Sequence, residues 1–349
     1  MSEQQYLNDL MRNLQKLNEK EKADIRRDFE EYFENGRQEG KSTVEVIEAL
    51  GSAEIIAKDL LTAYTEDEFV SEVAVDPTQK DVPYSNLYIK AKGVNLTIYP
   101  TDRPEAYIEV KNDEDKKTKA TLSIENDTLK VIVEKTDSIR KFWFITIING
   151  VSKSDVTLYV PRKRYDEIEA KNGNGKLTLD TIEVARLEAD SMNGRVVLQH
   201  ITAGYVKATS MNGRVIIEHS TFETGVATSM NGRVICSHTK ANELKLSSAN
   251  GRVVLEEVTG AITAKSSNGS IESMLSEVTA DSKFSSSNGS IKVKSPIRLQ
   301  NLNITAKSAT GKPLIYGEKV KKQVANESDP TLTLSSLNGS IKVSLIEEN

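Results

Sequence analysis

One cysteine in 349 residues, Cys236, excludes an intrachain disulfide and any cluster of thiolate metal ligands. Aromatic residues make up only 5% of the chain and are not interleaved with its cations. With a pI near 5.6, this argues against nucleic acid as a partner. The longest apolar run, FWFITII at 142–148, falls far short of the roughly 20 residues that cross a bilayer as a helix. The opening MSEQQYLNDLMRNLQKL carries acids and amides where a secretory signal has its apolar core. That predicts a cytoplasmic location, with a peripheral position at the cell envelope or surface as the alternative.

Charge is present in quantity but unevenly placed. The net charge of -5 divides into -8 over residues 1–70, with nine basic against seventeen acidic side chains, and +3 over the rest, with 37 against 34. The acidic front end has helical periodicity. Leu7, Leu10, Met11, Leu14 and Leu17 recur on one face, and a second segment carries Ile25, Phe29, Tyr32 and Phe33, ended by Gly36 and Gly40. Ser42 with Glu45 is a capping-box start for a third helix, and Ser52 caps a fourth. Residues 1–65 therefore read as a small all-α domain. Residues 66–84 lose the period and hold two prolines, which reads as a linker.

The acidic helix DFEEYF, Asp28 to Phe33, followed by the Leu50-Gly51-Ser52 turn, resembles the HAAS signalling domain of Firmicute envelope-stress proteins. The net charge of -8 over this front end, set against the basic remainder, places Asp28, Glu30, Glu31 and Glu34 among the candidate contact residues.

From residue 166 to 349 the chain repeats itself. Asn-Gly dipeptides begin at 174, 193, 212, 231, 250, 268 and 288, in steps of 19, 19, 19, 19, 18 and 20. Thr310-Gly311 stands in for the next, and Asn338-Gly339 follows after a charged insert. Side chains alternate on both sides of each anchor, as in Leu187, Ala189 and Ser191 before it and Val196 and Leu198 after it. Two short strands around a corner, repeated every 19 residues, predict a mainly β fold: a parallel β-helix, a solenoid whose coils stack about 4.8 Å apart. At the corner, glycine is expected to supply a positive φ, and asparagine to tolerate the left-handed region while bonding the same amide one coil away. The inward serines are expected to form a hydroxyl ladder, since no histidine–acid pair accompanies them as a nucleophile requires. Residues 85–165 lack the period but read as strands, forming irregular first coils or a cap over the stack's open edge. FWFITII within them is expected to be buried.

Stacking turns positions into columns. Two residues after each anchor stand Lys176, Arg195, Arg214, Arg233 and Arg252, then serines. Four after it stand Val197, Ile216, Ile235 and Val254, an apolar stripe expected to be exposed beside the cations. These nine residues are the candidate binding face for an anion or a protein partner. The three histidines, His200, His219 and His238, share a third column. Stacked imidazoles suit pH sensing, but they offer no tetrahedral ligand set for zinc, so neither metal nor cofactor is expected.

The LYVP at 158–161, the I-E-A-x-N-G-N-G after it and the recurring S-x-N-G-x-[VI] resemble the putative-adhesin family of β-strand repeats over about 85–346. A helical signalling domain joined to such a repeat resembles bacterial surface proteins that sense cationic peptides and adjust envelope-stress signalling. That resemblance implies no catalytic residues. The reading is a non-enzymatic binding and signalling protein. Its partners are another protein, its own acidic helical domain, an anionic envelope polymer or lipid headgroups. The alternative is an adhesin-like protein, or a β-helix that binds or degrades polysaccharide.

Overall fold

A computed structural model describes residues 2–14, 19–38, 40–57, 72–74, 82–111, 118–135, 139–142, 145–148 and 154–346. The chain forms a helical unit and a β unit.

The helical unit comprises α1 (Glu3–Asn13), α2 (Glu19–Gln38), α3 (Thr43–Leu50) and helical turns at 53–57. Its core joins Tyr6, Leu7 and Leu10 of α1 to Phe29 and Phe33 of α2 and Val46 and Leu50 of α3. The spacing of these apolar residues is what selects helix, since only a 3.6-residue period brings them to one side. Ser42 and Glu45 form the expected capping box, each side chain bonding the other's backbone N–H. The Ile55 N–H donates to the Ser52 hydroxyl at 3.2 Å. Gly36 does not end α2. It lies within the helix, where a Cβ would come 2.6 Å from Val46 Cγ2, and Gly40, at φ +79°, marks the turn beyond the helix end.

The β unit is a solenoid of parallel strands, as the 19-residue step predicts. One coil runs through Glu183–Ser191, a corner at 192–195, Val196–Gln199 and a second corner at 200–201. The next coil repeats it one step on. Leu187 pairs with Val206 and Ser191 with Ser210 along one wall, and Val196 with Val215 along the other. Inward residues such as Leu187, Ala189, Val196 and Leu198 are fully buried in one continuous core. The single 18-residue step is absorbed by a slip in pairing between Lys240 and Glu243.

The first corner is built differently from expectation. No asparagine or glycine of its anchors, from 174 to 339, has a positive φ. Glycine is required because the coils approach too closely for a side chain. A Cβ on Gly194, Gly213, Gly232 or Gly251 would lie 1.7–1.9 Å from the carbonyl oxygen of the glycine one coil earlier. The asparagine amides do bond coil to coil, at 2.6–2.8 Å, from Asn193 onto Asn174 through to Asn338 onto Asn288. Ser210, Ser229, Ser248, Ser266 and Ser286 each form a clip to the backbone instead of a hydroxyl ladder. Ser229 Oγ accepts from Gly232 N–H at 2.9 Å and donates to the Gly213 carbonyl of the previous coil at 2.9 Å. Positive φ belongs to the second corner, at Thr181, His200, His219, His238 and Glu257, between 47° and 59°.

Both ends of the stack depart from chain order. Asn86–Lys92 lies between Arg164–Asn172 and Thr128–Lys135, parallel to both. Beyond it, Thr118–Glu125 and Tyr107–Lys111 close the two edges in antiparallel pairing. The described strands of the stretch 85–165 thus supply both irregular coils and antiparallel closing edges. Within the stretch read as linker, Glu72–Ala74 adds antiparallel to Tyr107–Lys111. At the other end, Thr331–Ser336 slots between Ser282–Ser286 and Asn303–Ser308. In space Asn338-Gly339 follows Asn288-Gly289, and Thr310-Gly311 is not the next rung. FWFITII contributes to a separate hairpin, Ile139–Phe142 against Ile145–Ile148. Its side chains, Trp143 included, lie outside the described residues.

Candidate functional site

The first corner orders a strip of surface along the solenoid. Met211 N–H and Asn212 N–H donate to the Ser191 and Met192 carbonyls of the coil beneath, while Gly213 N–H is taken by Ser210 of its own coil. Arg195, Arg214 and Arg233 come one above another, because Val196 N–H donates to the Arg214 carbonyl at 2.9 Å and Val215 N–H to the Arg233 carbonyl at 3.0 Å. Lys176 and Arg252 extend the column at its ends, and all five side chains are exposed. Arg252 pairs with Glu272 at 3.1 Å. Arg195, Arg214 and Arg233 have no ion pair among the described residues. Elsewhere on the same solenoid, Lys207 meets Glu188 at 3.1 Å and Arg186 meets both Glu188 and Glu167.

The stripe four residues after each anchor is not the exposed apolar surface expected. Val197 is 6% exposed, and Ile216, Ile235 and Val254 are half-buried. Along each strand it stands between the arginine column and the column of Gln199, Glu218, Ser237 and Glu256. Gln199 and Glu218 are joined at 2.8 Å.

The histidines do stack. His200 and His219 rings lie 5.5 Å apart at 11°, and His219 and His238 lie 4.8 Å apart at 19°. His200 Nδ1 lies 2.8 Å from Asp180 Oδ1. Rings set face to face do not aim their nitrogens at one point, as a metal would need. Their column coincides with the left-handed corner, a conformation in which histidine is enriched several-fold over most residues. On α2, Glu30, Glu31 and Glu34 are exposed and Asp28 half-buried. Glu30 is held by Arg26 at 2.9 Å. Cys236 is buried, and burial pushes its thiol up to about 12, so it offers no reactive thiolate at neutral pH.

A feature missed from the sequence lies on the other side of the asparagine ladder. A groove of about 1420 Å³ runs the length of the β unit, across its strands. One wall is the column immediately before each asparagine, where Met192, Met211 and Met230 are 56%, 47% and 52% exposed. The other is the column two residues earlier, with Thr209, Thr228 and Ser247 at its middle. Three methionines at a 19-residue step, in a turn where polar residues are usual, were the available signal.

No group of three or more His, Cys, Asp or Glu among the described residues is arranged to hold a metal ion. Among the same residues no helix is long and apolar enough to cross a membrane.

No curated protein matches the sequence. Solved structures resembling the chain include a putative adhesin from Bacteroides fragilis, 18% identical over 78% of this chain and 94% of that one, with a TM-score of 0.36. Another is a putative lipid binding protein from Parabacteroides distasonis, 12% identical over 78% and 94%, with a TM-score of 0.43. A third is a putative cell adhesion protein from Clostridium sporogenes, 10% identical over 79% and 98%, with a TM-score of 0.25. The HAAS family model matches residues 5–59. The model described as Toastrack DUF4097 matches residues 84–345, three quarters of the chain, and the protein therefore belongs to the Toastrack DUF4097 family and carries a HAAS domain ahead of it.

Proposed function

We propose that this is a non-catalytic binding protein of the cell-envelope stress type, whose solenoid takes an elongated anionic partner along the column from Lys176 to Arg252. The observation that carries the reading is the absence of ion-pair partners for Arg195, Arg214 and Arg233 among the described residues. Like charges about 4.8 Å apart repel, yet in water each neighbouring pair costs only on the order of 1 kcal/mol. A bound row of anions removes that repulsion and adds attraction. An anionic envelope polymer or a layer of lipid headgroups meets this requirement, and so does the acidic surface of α2 around Glu31 and Glu34. These partners compete for one face, which makes occupancy of the arginine column a switch between a self-engaged and a ligand-engaged state. From Ser210 to Ser286 the clip uses each corner hydroxyl as both donor and acceptor, which supports a structural role for these serines.

The test is co-sedimentation of the full chain with phosphatidylglycerol vesicles and with phosphatidylcholine vesicles across a salt series. Binding confined to the anionic vesicles, weakened by salt and lost in R195E/R214E/R233E, is the expected result. Equal binding to both vesicles, or reducing ends released from anionic glycans by the wild-type protein, overturns the reading.

A further inference from the structure

The methionine groove is a second site, separate from the arginine column, and its chemistry is specific. Main-chain recognition is closed to any occupant. Met211 N–H donates to the Ser191 carbonyl at 3.1 Å, Met230 N–H to the Ser210 carbonyl at 3.1 Å, and Asn212 N–H to the Met192 carbonyl at 3.0 Å. A peptide strand cannot be added across it, because the groove crosses the strands and every ladder group along this wall is already paired. What remains is a straight channel with a wall of exposed thioethers and a short hydroxyl wall opposite. Methionine adapts its shape and polarisability to apolar ligands that lack one fixed outline.

The charge along the hydroxyl wall is segregated. Register places Lys90 beside Lys171, then Asp190 beside Lys171, and the middle is neutral from Thr209 to Ser247. Past Ser247 the wall turns cationic again at Lys265, and Lys307 lines its far end. Lys90, Lys265 and Lys307 are exposed and have no ion pair among the described residues, whereas Lys171 meets Glu169. The one acid of the wall, Asp190, is half-buried and accepts from the Thr209 hydroxyl. An uncharged middle with one wall of thioethers, and cations toward both ends, complements a molecule with a long hydrocarbon chain and an anionic head.

We propose that the groove binds the extended hydrocarbon chain of an anionic amphiphile, a fatty-acyl carboxylate or phosphate, with the chain along Met192, Met211 and Met230 and the head at Lys90 or Lys265. The ligand lies along the solenoid axis. A sugar polymer fits less well, because no aromatic side chain lines the groove to stack on its rings.

The full chain is titrated with cis-parinaric acid, whose fluorescence rises in apolar surroundings, and in parallel with its uncharged methyl ester. A saturable rise is expected, with affinity reduced at least tenfold in M192S/M211S/M230S and several-fold for the ester. The R195E/R214E/R233E variant retains it. Circular dichroism reports whether the triple methionine variant is folded, and M211E provides a single exposed change should it not be. No saturable rise, or undiminished affinity in a folded methionine variant, overturns the proposal. Binding that survives the methionine changes but is lost with the arginines does so too, while leaving the arginine reading intact. Equal affinity for acid and ester overturns the assignment of an anionic head.

Discussion

A Cβ placed on Gly213 would sit 1.9 Å from the carbonyl oxygen of Gly194, one coil earlier, far inside the distance at which two non-bonded atoms can rest. The stack cannot part locally, because the asparagine ladder and the serine clip hold the same corner. Gly213→Ala is expected to cost about 3 kcal/mol, the upper range for overpacking. Gly311 is the control, since a Cβ there would meet nothing within 4 Å. Gly311→Ala should change stability by less than about 0.5 kcal/mol. Urea unfolding of the two variants makes the comparison.

Ser229 is 1% exposed and satisfies two backbone groups at once, the Gly232 N–H and the Gly213 carbonyl. Ser229→Ala leaves both without a partner inside the corner, which costs about 2 kcal/mol. Thr228 is half-buried, faces outward and bonds only Ser247, at 3.1 Å. Thr228→Ala should cost about 0.5 kcal/mol. A similar loss for both would show that the clip adds nothing beyond an ordinary surface hydroxyl.

His219 adopts φ 49°. If the column exists because the corner is left-handed, asparagine should replace it at little cost, since it tolerates that region, while a β-branched residue should not. His219→Asn is expected to leave the urea midpoint nearly unchanged, and His219→Val to cost about 1–2 kcal/mol. The opposite order would give the imidazole stack itself the stabilising role.

Asp190 has its carboxyl held above the usual carboxylate range, first by burial and then by the nearby acids Glu188 and Glu169, against the pull of Lys207 and Lys171. A folded-state value above the unfolded one means that the folded protein binds the proton more tightly. The associated stability is present at low pH and is lost as pH rises through the unfolded value and then the folded one. Asp190→Asn, whose amide oxygen still accepts from Thr209, removes that loss. The variant should melt slightly higher than the wild type at pH 7, and the gap should close on acidification toward about pH 4.

The stacking of coils was legible because Asn193, Asn212 and Asn231 recur at one interval, and a polar amide at a fixed step has few uses other than bonding its own copy. The reason for glycine was not. Positive φ and lack of space both select glycine, and Gly194 satisfies the second while its sequence suggests the first. The left-handed corner escaped notice because threonine and glutamate carry no turn signature and the recurring histidines suggest chemistry before they suggest a backbone conformation. The order of the last rungs was hidden for a different reason: Thr310-Gly311 and Asn338-Gly339 follow one another in sequence, and only long-range pairing places the second inside the first. Of the candidate site, the arginine column was readable from alternation alone. The burial of Val197 was not, since alternation assigns a side chain to a face without saying what stands beside it.

The intercalated rung at 331–345 has a consequence for how the protein is made. In a solenoid each coil rests on its neighbours alone, so the turns can be laid down in the order of synthesis. Here that sequence of events halts at Ser295, because the surface left waiting there is claimed by Asn338 onto Asn288, a partner 50 residues away. The outer strand Asn303–Ser308 finds its native neighbour only once Thr331–Ser336 has been made.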